Sequence, residues 1–421
     1  MKSNSKKSKP YLIVVKIIFL VVVVYILLKN LFPKNKKKLL RNRKNILVIG
    51  GGSHNKGALA MTYVAIDLLK KKYPKKEIIV LAHEKLKFSR AVPNFKICNW
   101  SVKDRLRLVL KKSGEMHQIF KSADKIVDIS GFALSSNWGF FSSLNYLFKI
   151  ALAKDYGIDY QVFPQSMGPF KYPFWQRIIL FPLFHKYLNY PSRVFTRESK
   201  GVKSLKKFRK RVFLSEDMVL VNGKLNKKRI FEVPPIKHNI DVKPNSILII
   251  PSNRVLSKSS RKDFFKFYNM VIDYLVSNNF EIYLAFYADE DTEICRKIYA
   301  SSRKNKLHLI EECIDPLYVE SFIKNFKMVI SSRYHSLIHS FRTSTPVFTI
   351  GWAEKYTELL DRFDQEEYVL NVNNLNFFSF KKKFDKLVMN REVESKKIKK
   401  RLKEIKKEDK FIKNFESTHV E

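Results

Sequence analysis

NILVIGGGSHNKGALAMTYVAIDLLKKKYPKKEIIVLA, residues 45–82, reads as a strand, a glycine-rich turn, a helix and a second strand. Its first five residues are almost unbroken in apolar character, as in a strand covered on both faces. The run from Lys56 to Lys72 suits an amphipathic helix, and EIIVLA (77–82) repeats the strand signature. A strand–helix–strand unit of this kind implies parallel pairing. Working outward, KIVDIS (125–130), YQVFPQS (160–166) and RVFTRE (193–198) read as further strands with helical segments between them. Residues 222–245, rich in Pro, Asn and Lys, break the alternation and read as an interdomain linker. Alternation resumes with strands SILIIP (246–251), EIYLAFY (281–287), LHLI (307–310), KMVISS (327–332) and PVFTI (346–350), and with helices at 261–276 and 317–326. The expected architecture is therefore α/β: one Rossmann-like domain over 45–221, the linker 222–245, a second Rossmann-like domain over 246–380, and a basic helical tail over 381–421. Tandem domains of this type hold ligands in a cleft at the C-terminal ends of their strands.

The 421 residues carry 81 basic and 39 acidic side chains, a net charge of +42. Such an excess favours an anionic partner: nucleic acid, an acidic membrane surface or a phosphorylated substrate. Hydrophobic residues at 45% are enough to bury a core, which excludes disorder as the main state. The three cysteines, Cys98, Cys295 and Cys313, have no CxxC spacing, which excludes a disulfide framework and a cysteine zinc site. Thirteen of the basic residues lie in residues 1–44, where there is no acid, and the tail 381–421 is net +7. The first group flanks YLIVVKIIFLVVVVYILL (11–28), which has the length and apolar character of a spanning helix. No small-residue cleavage site follows it, so residues 1–44 are expected to form a basic flank and an uncleaved single-pass anchor. Eight basic residues on its C-terminal side against four on the other direct the catalytic part to the cytoplasmic face.

Five segments carry chemistry. Gly50, Gly51, Gly52 and Gly57, four of the twelve glycines, surround Asn55 at the first strand–helix turn, where free N–H groups suit an anion or a sugar hydroxyl. The spacing is neither GxGxxG nor a Walker A loop. Ile129–Leu134 places Gly131 at a strand end. Gln165 and Ser166, in FPQSMGP (163–169), offer an amide and a hydroxyl to a sugar. Arg197, at a strand end in FTRES (195–199), suits a phosphate or carboxylate. The most specific segment is ISSRYHSLIHS (330–340): Arg333 opens a helix, His335 follows within reach of the same ligand and is read as an acid/base group, and His339 is read as structural. Two His at i, i+4 without HExxH do not make a metal site, so no metal is expected. Lys355 follows a glycine-terminated strand.

In this order the segments resemble the polysaccharide pyruvyl transferase family. The resemblance rests on Asn55-Lys56-Gly57-Ala58-Leu59-Ala60, Gln165-Ser166-Met167-Gly168-Pro169, Arg197-Glu198, Ser331 through His339 and Lys355, and covers about residues 45–365. The sequence departs from the family pattern at Ala58 and Leu59, where an acid is usual, and at Glu216-Asp217-Met218-Val219, where D-P-(A/V)-F is common. The resemblance implies a glycosyltransferase-B-like fold. It implies transfer of the enolpyruvyl unit of phosphoenolpyruvate to a sugar of a surface-glycan precursor, as a pyruvate ketal. Arg197 and Arg333 would hold the donor's phosphate and carboxylate, His335 would be general acid/base and Lys355 would assist with substrate charge. Gly52, Asn55, Gln165 and Ser166 are the expected substrate contacts. The donor is a substrate, and no cofactor is expected. The expected partners are phosphoenolpyruvate, a sugar or lipid-linked glycan acceptor and the membrane.

Two other readings share the composition. A membrane-associated nucleotide-sugar glycosyltransferase of the same architecture would release a nucleotide; Glu354 is the one candidate for its ribose carboxylate. A basic protein binding nucleic acid or acidic lipid would show steep salt dependence. Basic residues interleaved with aromatic ones, as RNA-binding sheets require, are absent, and nucleic acid is not expected as a partner.

Overall fold

A computed structural model describes residues 24, 25, 28, 43–82, 90–302, 304–312 and 314–417. The chain divides into two compact units: residues up to 52 with 65–86 and 93–215, and residues 53–64 with 87–92 and 216–421.

The first unit is built on an eight-stranded sheet. Its strands are β1 (Asn45–Ile49), β2 (Glu77–Ala82), β3 (Lys96–Asn99), β4 (Ala123–Asp128), β5 (Phe132–Leu134), β6 (Asp159–Met167), β7 (Arg193–Thr196) and β8 (Phe213–Leu214). The order is β3-β2-β1-β4-β6-β7-β8, with β5 beside β6. Every pairing is parallel, with Leu47 opposite both Ile79 and Ile126. The apolar runs are continuous because helices cover both faces. Helix α2 (Gly139–Tyr156) is buried along most of its length and ends where Gly157 adopts φ 62°, a left-handed cap. It packs with α3 (Phe174–Tyr187) over a core that includes Phe120, Phe148, Tyr160 and Phe184.

The second unit holds six parallel strands: β9 (Ser246–Ile250), β10 (Glu281–Ala285), β11 (Leu307–Ile310), β12 (Met328–Ser331), β13 (Val347–Gly351) and β14 (Val369–Asn371). The order β11-β10-β9-β12-β13-β14 reverses direction between β9 and β12, the doubly wound arrangement. Its core gathers Ile247, Phe267, Ile282, Ile330, Phe348 and Phe380. Residues 381–421 contribute a helix, Arg391–Glu408, whose Ile398 and Ile405 are fully buried. Within it the buried Glu394 carboxylate accepts from Gln365 Nε2 at 2.6 Å and from the Tyr368 hydroxyl at 3.0 Å. In sequence between the two sets of strands, residues 227–230 form a short helix and 231–233 a short strand.

The apolar stretch 11–28 lies outside the described residues except for Val24, Tyr25 and Leu28. Among the described residues no helix is long and apolar enough to cross a membrane. The expected single-pass membrane anchor, and with it the placement of the catalytic part on a cytoplasmic membrane face, is corrected on that finding. Hydropathy over 18 residues measures only whether a segment would tolerate lipid.

Candidate active site

The second unit assembles its polar groups where β12 gives way to helix α9 (Tyr334–Arg342). The Ser331 hydroxyl accepts from the Arg333 N–H at 3.0 Å and so shapes the turn that starts the helix. His335, in the first turn, packs against Gly57, near the start of helix α1 (Lys56–Lys72). A Cβ at residue 57 would stand 2.2 Å from the His335 Nδ1, so only glycine leaves room for the imidazole. Asn55 makes the turn before it, its Oδ1 accepting from the Gly57 N–H at 2.9 Å. The same segment is stitched to residues 287–289: Lys56 N–H donates to the Tyr287 carbonyl at 3.0 Å, and Asp289 N–H to the His54 carbonyl at 2.8 Å. The side chains of His54 and Asp289 also meet, at 2.6 Å.

On its other side His335 faces Asp217. The carboxylate Oδ2 lies 3.4 Å from the His335 Nε2, and the Asp217 side chain is 1% exposed. The other carboxylate oxygen, Oδ1, accepts from Val219 N–H at 2.8 Å and caps the short helix Met218–Val221. Arg342, at the far end of α9, donates to the carbonyls of Val219, Leu220 and Asn222. The short helix is therefore held at both ends alongside α9, which fixes Asp217 beside His335. An imidazole with a carboxylate beside it is oriented, and its protonated form is favoured.

Arg333 is 7% exposed and is engaged by carboxylates. Its Nε donates to Asp291 Oδ2 at 2.7 Å, its Nη2 to Glu290 Oε1 at 2.7 Å, and Nη2 also to Asp291 Oδ1. Burial alone would lower the guanidinium pKa, but the two carboxylates outweigh it and raise it above its ordinary value. Asp291 Oδ1 accepts in addition from Asn253 N–H at 2.9 Å. Arg333 thus ties the strand-end turn to the loop before the helix Thr292–Ser302. Lys355, in the first turn of helix Glu354–Arg362, places Nζ 5.0 Å from the Tyr334 ring centroid, 5.3 Å from Trp352 and 5.8 Å from Tyr356. Three aromatic faces stabilise that cation without neutralising it.

In the first unit the motif residues also find one another. Arg197 Nη2 donates to Ser166 Oγ at 2.7 Å and to the Gly131 carbonyl at 3.0 Å. Ser166 Oγ donates in turn to Glu198 Oε1 at 2.5 Å. Gln165 is fully buried, with Nε2 3.5 Å from the Asp128 carbonyl. All stand at the C-terminal ends of β4, β6 and β7. Gly50, at φ 89°, passes so close to Ser130 that a Cβ would meet its backbone at 2.5 Å, whereas nothing lies within 4 Å of the corresponding point at Gly52. Packing demands glycine at 50 and not at 52, where the bare backbone stays open to approach.

Of the residues singled out in the sequence, Asn55, Arg333, His335 and Lys355 thus belong to the second unit, and Gly52, Gln165, Ser166 and Arg197 to the first. Sequence reasoning noted Asp217 only as part of a departure from the family pattern, and it missed the Glu290–Asp291 pair and the steric role of Gly57. Asp217 does carry a local signal, an acid just before an apolar run at a helix N-cap position; its meeting with His335 carries none.

Comparison with known proteins bears on the fold and the family. Among curated proteins none matches the chain in sequence. Among solved structures, the UDP-GlcNAc 2-epimerase of Methanocaldococcus jannaschii superposes with a TM-score of 0.50 at 12% identity, over 81% of this chain and 92% of the other. A putative UDP-N-acetylglucosamine 2-epimerase of Listeria monocytogenes gives 0.52 at 10% identity, over 85% and 90%. At such identities the likeness is one of fold alone, and that fold is glycosyltransferase-B-like. The model of the polysaccharide pyruvyl transferase family matches residues 55–354, from the asparagine of the first turn to the start of the helix bearing Lys355. With most of the chain matched, and with Asn55, Gln165, Arg197 and His335 inside the match, this protein belongs to the polysaccharide pyruvyl transferase family.

Proposed function

We propose that the protein transfers the enolpyruvyl unit of phosphoenolpyruvate to a sugar of a glycan precursor, forming a pyruvate ketal. The observation that carries this reading is the imidazole of His335 held between Gly57 and Asp217 inside the family match. Ketal formation needs one proton delivered to C3 of the enol while a sugar hydroxyl bonds to C2. A second hydroxyl then bonds to the same carbon as the C2–O bond to phosphate breaks. The two hydroxyl protons end on the new methyl group and on phosphate, so the reaction needs no oxidant. In this reading the Asp217 carboxylate, 3.4 Å from Nε2, steadies the charge of the protonated imidazole, and His335 takes and returns the proton. Arg197 meets the donor's anionic groups, Lys355 offsets substrate charge from its aromatic surround, and Gly52, Asn55, Gln165 and Ser166 shape the substrate surface. Arg333 acts through its carboxylate partners, holding the turn that presents His335.

The experiment is phosphate release from phosphoenolpyruvate with a panel of aryl or lipid-linked glycosides. Release that depends on the glycoside is expected. Nucleotide release from a nucleotide sugar, with phosphoenolpyruvate untouched, would instead favour a glycosyltransferase. Gly57→Ala, which drives a methyl group into the imidazole, is expected to lower kcat on the order of 100-fold, the usual cost of misplacing a reacting group by about 1 Å. Gly52→Ala, with open space for its methyl group, is expected to keep the stability of the wild type and to change KM rather than kcat.

A further inference from the structure

At the opposite edge of the first unit's sheet, the turn between Leu205 and β8 carries Lys206, Lys207, Arg209, Lys210 and Arg211 with no acid among them. These residues, with His185 and Asn189, line an open pocket of 640 Å³. The lining immediately precedes β7 and β8, so it lies at the N-terminal ends of these parallel strands. Arg197 and Ser166 lie at the C-terminal ends. The four residues of β7 separate the two edges by about 13 Å, at roughly 3.3 Å per residue. The pocket therefore does not belong to the site described above.

A lysine-rich turn in a protein of net charge +42 would ordinarily be solvated surface. This one is held rigid from beneath. Arg209 is buried and spends its guanidinium on backbone: Nε donates to the Arg211 carbonyl, Nη1 to Leu188 at 2.6 Å and Nη2 to Ser192 at 3.5 Å. Asn189 Nδ2 bridges the carbonyls of His185 and Phe208 at 2.6 and 2.7 Å. Phe208 is locked among Phe170, Phe181 and Phe184, with centroids 5.0–5.8 Å away. The anchoring contacts go to carbonyls and rings, and among the described residues no carboxylate pairs with Lys206, Lys207 or Lys210. Their charges stay outward around a concavity whose volume suits a ligand of small-molecule size.

We propose that this pocket is a second, non-reacting site for a phosphate-bearing ligand. Its chemistry is that of a phosphate monoester, pyrophosphate or phosphodiester with at least two charges. Binding there is expected to weaken with added salt, since each phosphate contact displaces counterions.

The test titrates inorganic pyrophosphate into the full-length protein by calorimetry at two salt concentrations. The variants are K206Q/K207Q/K210Q and a charge-matched control on exposed lysines of the C-terminal helix, K396Q/K399Q/K400Q. The expected result is saturable binding that drops on the order of tenfold or more in the first variant, with a shallower salt dependence, and changes less than about twofold in the control. Phosphate release from phosphoenolpyruvate, measured in parallel, is independent of this result and reports on the pyruvyl-transfer reading alone. A second arm uses a short poly(glycerol phosphate). Tighter binding of the polymer, lost in the same variant, assigns the ligand to a phosphodiester chain; preference for pyrophosphate assigns it to a small phosphate ester. Equal losses in both variants, no saturable binding, or much tighter binding of a single-stranded oligonucleotide would overturn the proposal.

Discussion

Arg333→Ala is expected to destabilise the protein by about 3–5 kcal/mol, the usual cost of stripping one partner from a buried ion pair. The Asp291 side chain has no exposure, and Arg333 is its charged partner at 2.7 Å. Without the guanidinium, the buried Asp291 carboxylate loses its charged partner beside the like charge of Glu290, and the turn before His335 loses its tie. Denaturant unfolding of the variant measures this directly. Arg333→Lys keeps the charge but loses the two-pronged donor, so a smaller loss is expected. Replacing Arg333 and Asp291 together by apolar residues of similar volume should recover much of the stability. The sequence suggested that Arg333 holds the donor. That role would show differently: Arg333→Ala would unfold like the wild type while its KM for phosphoenolpyruvate rose steeply.

The second large effect belongs to His335. His335→Ala is expected to cost roughly 100- to 10,000-fold in kcat, the range for losing a general acid/base. Asp217→Asn separates orientation from folding. Asparagine caps a helix as well as aspartate, so the short helix Met218–Val221 should persist. The amide cannot stabilise an imidazolium, so kcat should fall on the order of 100-fold with an unchanged unfolding midpoint. Equal kcat in Asp217→Asn and wild type would remove Asp217 from the mechanism.

The strands were legible where the chain is apolar on both faces. NILVI, SILII and MVIS become β1, β9 and β12 because helices cover both sides of each sheet. Lys96–Asn99 and Val369–Asn371 were not legible: they are edge strands, three or four residues long, with one or no covered side. His335 could be read because a strand end followed by R-x-H places a titratable group at a predictable rim. Its partner Asp217 could not, because their meeting depends on Arg342 drawing the Met218–Val221 helix against α9, a contact between distant segments. Arg333 shows the same limit from the other side. An arginine at a strand end looks alike in sequence whether its anion is a ligand or a carboxylate of its own chain, and here two such carboxylates, Glu290 and Asp291, hold it.

In the proposed reading a His335-dependent transfer moves the enolpyruvyl unit of phosphoenolpyruvate to a sugar. The most direct measurement is mass spectrometry of a glycoside acceptor after incubation with phosphoenolpyruvate and either wild-type or His335→Ala protein. The expected product is an acceptor heavier by pyruvate less water, formed with one phosphate released per product, and nearly absent with the variant. An unmodified acceptor with intact phosphoenolpyruvate across the glycoside panel, or equal product from the variant, would contradict it.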